Sequence, residues 1–252
     1  MRHRVRALAA GLLAAALLTG CAQSVDPIER LGKKAAQKVR PHPSAYRRWG
    51  LAAPLARPPK PPARTTARTA GPGLPPVVDH VRTRDKVVFL TYDDGAERDP
   101  RFVDMVRELR LPVSMFLTNS VVGPGYGHFA QLGEVGASVQ NHTLDHASLR
   151  GLPYAGQRAE ICGQQDKLKQ RFGIRPRLLR PPYGTYDTTT LRAAADCGVA
   201  AVVLGRPADA HPLRPGDILS GFREPNLTDA TLRLLKRIQA EGFTPARLES
   251  YL

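Results

Sequence analysis

Hydrophobic positions along this 252-residue chain change character twice. They form one unbroken run over residues 7–18, thin out among prolines over 41–76, and return from about His80 onward as short runs of two kinds. Residues 86–91 are apolar, β-branched and aromatic, and predict a buried strand. Residues 113–117 predict a second strand. Residues 137–140 predict a weaker one that leads into a pair of histidines. Residues 177–180 read as a strand end and 199–204 as a further strand. Between them, apolar residues recur at helical spacing over 99–109 (with Pro100 suited to a first turn), 160–172, 188–196 and 227–240, the last closed by Gly242. Strands alternating with helices predict an α/β fold with parallel strands, in which chemistry gathers at the carboxyl ends of the strands. There is no internal repeat of solenoid type.

The first run is too short to span a bilayer as a mature helix. Arg2, Arg4 and Arg6 precede it, and Leu18-Thr19-Gly20-Cys21 ends it. This resembles a bacterial lipobox, which implies removal of residues 1–20 and acylation of Cys21. Several acyl chains give stable anchoring where one is marginal. The expectation is a lipid anchor on the extracellular face of a bacterial cell membrane; a plain secretory signal with an incidental cysteine is the alternative. Val25, Ile28, Leu31, Ala35 and Val39 then follow near-helical spacing, with Lys33, Lys34 and Lys38 on another face. Such a segment fits an anionic lipid surface or a solvated tail equally well. Ten prolines in residues 41–76 predict an extended spacer without a core of its own. The expected division is a signal segment over 1–20, a basic Pro-rich tether over 21–79 and one folded domain over 80–252. Trp49, the only tryptophan, falls in the tether and is expected to make a local or interfacial contact.

Composition narrows the function classes. A hydrophobic fraction of 42% supports one globular domain and excludes a multi-span membrane protein. The formal charge of +15 suggests a nucleic-acid binder until it is located: residues 1–85 carry a net +12 and residues 86–252 only +3. A basic tail on a nearly balanced domain, without a basic stripe of interleaved aromatics, excludes a nucleic-acid partner. Three cysteines exclude a disulfide-framework miniprotein. With Cys21 assigned to the anchor, Cys162 and Cys197 remain, and in an exported chain they read either as a disulfide between two helices or as buried free thiols. A monomer is expected.

Three polar clusters each follow a predicted strand. Thr91-Tyr92-Asp93-Asp94-Gly95 sets two carboxylates side by side, which calls for a cation or a shared proton; Asp-Gly is also common turn chemistry. Asn141-His142-Thr143-Leu144-Asp145-His146 places histidines at i and i+4, where one helical turn lets both face a divalent metal with positions left open; two independent polar histidines are the other reading. Arg180-Pro181-Pro182-Tyr183-Gly184 stiffens the chain just past a strand and, alone, reads as a structural turn.

In this order the three clusters resemble the motifs of the polysaccharide deacetylase family, the NodB homology or carbohydrate esterase family 4 domain, over about residues 80–252. The resemblance implies a distorted (β/α) barrel holding one divalent metal, with zinc expected and cobalt or manganese chemically compatible. It implies that Asp94, His142 and His146 ligate the metal and that Asp93 is the general base toward the attacking water. Arg180 then orients Asp93 and keeps it ionised, and the Tyr183 N–H binds the tetrahedral oxyanion. The implied reaction is hydrolysis of N-acetyl or O-acetyl groups on a cell-wall or extracellular glycan.

The fourth and fifth motifs of that family are not matched. Residues 202–209 contain no tryptophan and offer only Asp209 as an acidic candidate. The position of the family's general-acid histidine falls on Gly221, or on Phe222 if the register slips. Losing a positioned acid costs ~10²–10⁴-fold in rate. Solvent, metal-bound water and His211 are the candidate replacements, and a catalytically weak glycan-binding relative is the alternative reading of the whole domain. Tyr126, Tyr154 and Tyr186 are the candidate stacking platforms for a sugar ring.

Overall fold

In a computed structural model that describes residues 44–62, 70–94, 98–221 and 226–252, the fold is organised around one strand, β2 (Val87–Asp93). The signal segment, Cys21, the amphipathic segment over 25–40, Gly95 and Phe222 lie outside the described residues. Strand β2 pairs in parallel with β3 (Val113–Leu117) on one side and β8 (Asp217–Ser220) on the other, while β9 (Thr244–Pro245) lies beside its first residues. Beyond β3 come β4 (Ser138–Asn141), β5 (Leu178–Leu179), β6 (Ala201–Val203) and β1 (Val77–Val78); beyond β8 comes β7 (Arg206–Pro207). All these strand pairs are parallel, and the sheet curls into a half-barrel flanked by helices. The expected α/β barrel class therefore holds. The chain after β1 crosses toward β8: His80 bridges Asp217, and the Val81 N–H donates to the Gly216 carbonyl. Gly216 has φ +89°, and a Cβ there would lie 1.9 Å from the Val81 carbonyl oxygen, so this crossing tolerates only glycine.

Alternation along β2 splits its side chains between two environments. Val88, Leu90 and Tyr92 join the layer between sheet and helices. Val87 and Phe89 face a second core with Phe116, Leu178 and Val203. The carboxyl-terminal segment fills this second core: Tyr251 packs edge-on against Phe89, ring centroids 5.0 Å apart. Glu249 accepts hydrogen bonds from Ser114, Ser138 and Gln140.

Local chemistry sets the helix ends. Helix α2 (Pro100–Leu109) starts at Asp99, whose carboxylate accepts the Arg101 N–H at 2.8 Å. Helix α6 (Thr188–Asp196) carries a capping box between Asp187 and Thr190. Helix α7 (Leu227–Ala240) starts at Asn226, which accepts the Asp229 N–H. Helix α5 (Tyr154–Phe172) begins six residues before the predicted 160–172. Its inward face carries Gln157, Gln164 and Gln165, all fully buried and bonded to backbone or side-chain partners, so hydrophobic spacing underestimates it. Helices α3 (Asn119–Val122) and α4 (Tyr126–Glu134) were not anticipated from periodicity.

The expected domain boundary at 80 moves upstream. A short helix, α1 (Ala45–Arg48), leads to Trp49 and Leu51, which are buried in the main core. The Trp49 indole N–H donates to Glu108 Oε2 at 2.8 Å, so this part of the tether docks on α2. Val77–Val78 likewise form strand β1. Residues 52–62 show no helix or strand, as a Pro-rich spacer should.

Cys162 on α5 and Cys197, immediately after α6, form a disulfide with Cα atoms 5.1 Å apart. Closing a loop with a sequence separation of 35 restricts the unfolded chain by about 4 kcal/mol in the loop-entropy account. The double variant Cys162→Ser/Cys197→Ser should lose about 2–4 kcal/mol of stability in urea unfolding. An unchanged midpoint would show that the bridge adds nothing beyond packing.

Candidate metal centre and active site

The inward face of β2 ends in the reacting groups. Thr91 and Asp93 continue the row of Val87 and Phe89 toward the carboxyl end of the strand. Asp94 follows with φ +45°, a left-handed backbone that turns the chain sharply. Its N–H donates to the Phe116 carbonyl at 2.9 Å, and its Oδ1 accepts the Thr118 N–H at 2.5 Å. The other oxygen, Oδ2, then lies 3.9 Å from His142 Nε2 and 3.8 Å from His146 Nε2.

His142 leaves the end of β4. Its N–H donates to the Leu117 carbonyl, and its own carbonyl accepts the Thr118 hydroxyl. Thr118 thus fixes Asp94 through its amide and His142 through its side chain. His142 Nδ1 lies 2.8 Å from the Arg180 carbonyl, which assigns the proton to Nδ1 and leaves the Nε2 lone pair facing Asp94. The histidines do not ride a helical turn as the i, i+4 spacing suggested. Thr143 (φ +73°) and His146 (φ +60°) are left-handed, and the loop folds back to bring the two rings to 4.9 Å.

The three ligand atoms lie within 4.8 Å of one another. Ligands about 2.1 Å from a tetrahedral centre stand about 3.4 Å apart, so a small contraction closes the set on one ion. One carboxylate and two imidazoles suit a divalent cation with open positions. The electrostatics agree. Burial pushes the Asp94 carboxyl up, against the opposing pull of His142, the Thr118 N–H and His146. Burial pushes His142 down, toward the neutral form that a metal requires. A bound cation would offset the burial penalty on the Asp94 carboxylate and accept the lone pair of neutral His142.

Asp93 and Arg180 stand beside this triangle. Arg180 Nη1 donates to Asp93 Oδ1 at 2.5 Å, and Nη2 donates to Thr91 Oγ1 at 2.9 Å. The guanidinium carbon lies 4.1 Å over the Phe116 ring. Arg180 is buried, whereas the Asp93 side chain keeps 32% exposure, so the carboxylate is held by a buried cation and open to a reactant. Tyr183, after the two prolines, has φ +59°. Among the described residues its N–H makes no backbone hydrogen bond. Its ring is 72% exposed and meets the edge of His146 at 5.0 Å. Five non-glycine residues among those described have positive φ; Arg110 ends a helix, and the other four, Asp94, Thr143, His146 and Tyr183, surround this site. Such strain persists where the surroundings over-determine it, and it concentrates at functional sites.

Other candidates lie elsewhere. Asp209 is exposed in a turn after β7. Gly221, at the position of the absent histidine, is exposed with φ +70°. His211 contacts Arg237 and Glu241 at the far end of α7, just before β9, whose Thr244 is in register with the first residue of β2. Asp94 follows the last residue of that seven-residue strand, so His211 sits at the opposite end of the sheet and is no replacement acid. Tyr126 packs against Phe172 and Tyr154 bonds Asp196 on α6; Tyr186 packs against the cluster of buried residues around the disulfide. The aromatic ring exposed at the site is Tyr183, which sequence reasoning used only for its backbone. Thr91 and Thr118 were also missed. Thr91 lies inside a quoted motif, but Thr118 acts through a loop position that no pattern marks.

Comparisons with known proteins agree with this fold. Residues 80–202 match the family model described as polysaccharide deacetylase. An uncharacterized protein of Streptomyces coelicolor is 61% identical over 197 residues, covering 72% of this chain and 79% of that one. A chitin deacetylase of Amylomyces rouxii is 35% identical over 123 residues, 48% of this chain and 29% of the fungal protein. Among solved structures, a family 4 carbohydrate esterase from Bacillus anthracis superposes with a TM-score of 0.62 at 20% identity, covering 69% of this chain and 86% of that chain. The likeness to the polysaccharide deacetylase family thus rests on residues 80–202, just under half of this chain.

Proposed function

We propose that this protein is a metal-dependent hydrolase that removes N-acetyl or O-acetyl groups from cell-wall or extracellular polysaccharide. The observation that carries the reading is the convergence of Asp94, His142 and His146 on one point, with the Asp93–Arg180 pair beside it. A divalent cation held by the three ligands supplies Lewis-acid chemistry, acidifying water and polarising the acetyl carbonyl. The chain's own residues do the rest. Asp93 accepts the proton of the attacking water. Arg180 keeps Asp93 ionised and aimed, through a charge-assisted hydrogen bond. The Tyr183 N–H, in the left-handed turn after Pro181-Pro182, donates to the developing oxyanion. The exposed Tyr183 ring offers a face for a sugar.

An amine leaves only once protonated, and Gly221 provides no proton where the family places a histidine. That observation favours a second reading, a slow or inactive relative that holds envelope glycan. An O-acetyl ester is less dependent on such an acid than an N-acetyl amide. We further place the protein on the extracellular face of the cell membrane, anchored through Cys21. The support for this is the lipobox-like end of the apolar run and the basic segment that follows it.

Acetate release from acetylated chitooligosaccharide, peptidoglycan and acetyl esters, measured beside metal content, separates the two readings. Wild type should bind one equivalent of zinc and release acetate. Asp93→Asn should lose about 10²–10⁴-fold in rate with its metal retained, and His142→Ala should lose the metal itself. Stoichiometric metal without cleavage of any of these substrates selects the binding reading; no metal with zinc in excess defeats both. For the anchor, Cys21→Ser should move the protein from the membrane fraction to the medium, and unchanged fractionation would exclude acylation at Cys21.

A further inference from the structure

Nothing within residues 142–146 explains why the ligand loop keeps two left-handed residues. A β-branched threonine and a histidine at positive φ need external restraint. Residues 142–144 have several: the Leu117 carbonyl, the Thr118 hydroxyl, Asn141 Oδ1 on the Thr143 N–H, and the Ser120 N–H on the Leu144 carbonyl. The two amides between the strained residues, those of Leu144 and Asp145, go instead to a single carboxylate oxygen. Glu160 Oε2 accepts the Leu144 N–H at 3.1 Å and the Asp145 N–H at 3.0 Å.

The same face of α5 holds the loop in other ways. The Ile161 carbonyl accepts Asn141 Nδ2 at 2.9 Å. A Cβ at Gly163 would lie 3.2 Å from Leu144 Cδ2, so the absence of a side chain there lets Leu144 seat on the helix. Gln164 donates to the Leu117 carbonyl, the same oxygen that receives the His142 N–H. The disulfide at Cys162 fixes this turn of α5 to the end of α6.

We propose that Glu160 is a positioning residue for the metal centre: its carboxylate grips the Leu144 and Asp145 amides and so sets where His146 presents Nε2 relative to Asp94 and His142. This rests on the metal-site reading above. Glu160 touches neither ligand nor reactant. It acts through the backbone of the loop, as hydrogen-bonded groups one step removed from a metal tune its affinity by about 10–100-fold.

The test is calorimetric titration of the full chain, stripped of metal, with zinc, together with the visible spectrum of the cobalt form. Glu160→Ala should weaken zinc binding about 10–100-fold and alter the cobalt spectrum. Glu160→Gln keeps an acceptor oxygen at the same reach and should recover most of the affinity. Gly163→Ala, which presses on Leu144 from the same face, should weaken binding in the same direction and tests the idea if Glu160→Ala does not fold. A Glu160→Ala protein whose metal-free melting temperature falls while zinc affinity and cobalt spectrum match wild type would overturn the proposal and leave Glu160 a purely structural residue. Failure of wild type itself to bind zinc or cobalt would instead sink the metal-site reading, and this proposal with it.

Discussion

A guanidinium out of water needs compensation, and the arrangement around Arg180 supplies it at both Nη atoms and on one face, with Nε left unpaired. Its side chain draws Asp93 and Thr91 from β2 and lies over Phe116 from β3. Its amide donates to the Asn141 carbonyl at the end of β4, and its carbonyl receives the proton of His142 Nδ1. One residue thereby ties the ends of four neighbouring strands, fixes a histidine tautomer and holds a carboxylate charged. Thr91 closes the circuit by donating its own hydroxyl proton to the Leu219 carbonyl on β8. Removing the guanidinium would free Asp93 to turn away; removing Asp93 would leave a buried cation with one hydroxyl and a ring.

The sequence shows its elements where burial or capping leaves a one-dimensional trace. Strands β2 and β3 read as continuous apolar runs because both faces are covered. Helices α2 and α6 announce themselves through Asp99-Pro100 and the Asp187 capping box. Helix α5 is half hidden because buried glutamines, whose Nε2 groups donate to backbone carbonyls, mimic an exposed face. The docking of Trp49 leaves no trace at all, since its partner Glu108 lies far along the chain and proline dominates the local composition.

The site divides in the same way. Asp93, Asp94, His142, His146 and Arg180 are legible because their chemistry depends on side-chain type and order. Thr118 and Glu160 are not, because they act through backbone groups: Thr118 through its own amide and the His142 carbonyl, Glu160 through the Leu144 and Asp145 amides. The helical-turn reading of the histidine pair failed for a related reason. Spacing constrains separation along the chain, but the left-handed backbone at Thr143 and His146 is set by neighbours distant in sequence.

The carboxyl-terminal segment that fills the barrel has a consequence for assembly. β9 pairs with β2, Tyr251 packs on Phe89, and Glu249 gathers Ser114, Ser138 and Gln140, so the interior is complete only when residues 244–252 are in place. The interactions that close the fold are thus among the most distant along the polypeptide, and such topologies mature slowly. A nascent chain emerging from the ribosome would stay open until residues 244–252 appeared. For a protein that crosses a membrane before it folds, as proposed here, that delay would keep the chain open for translocation.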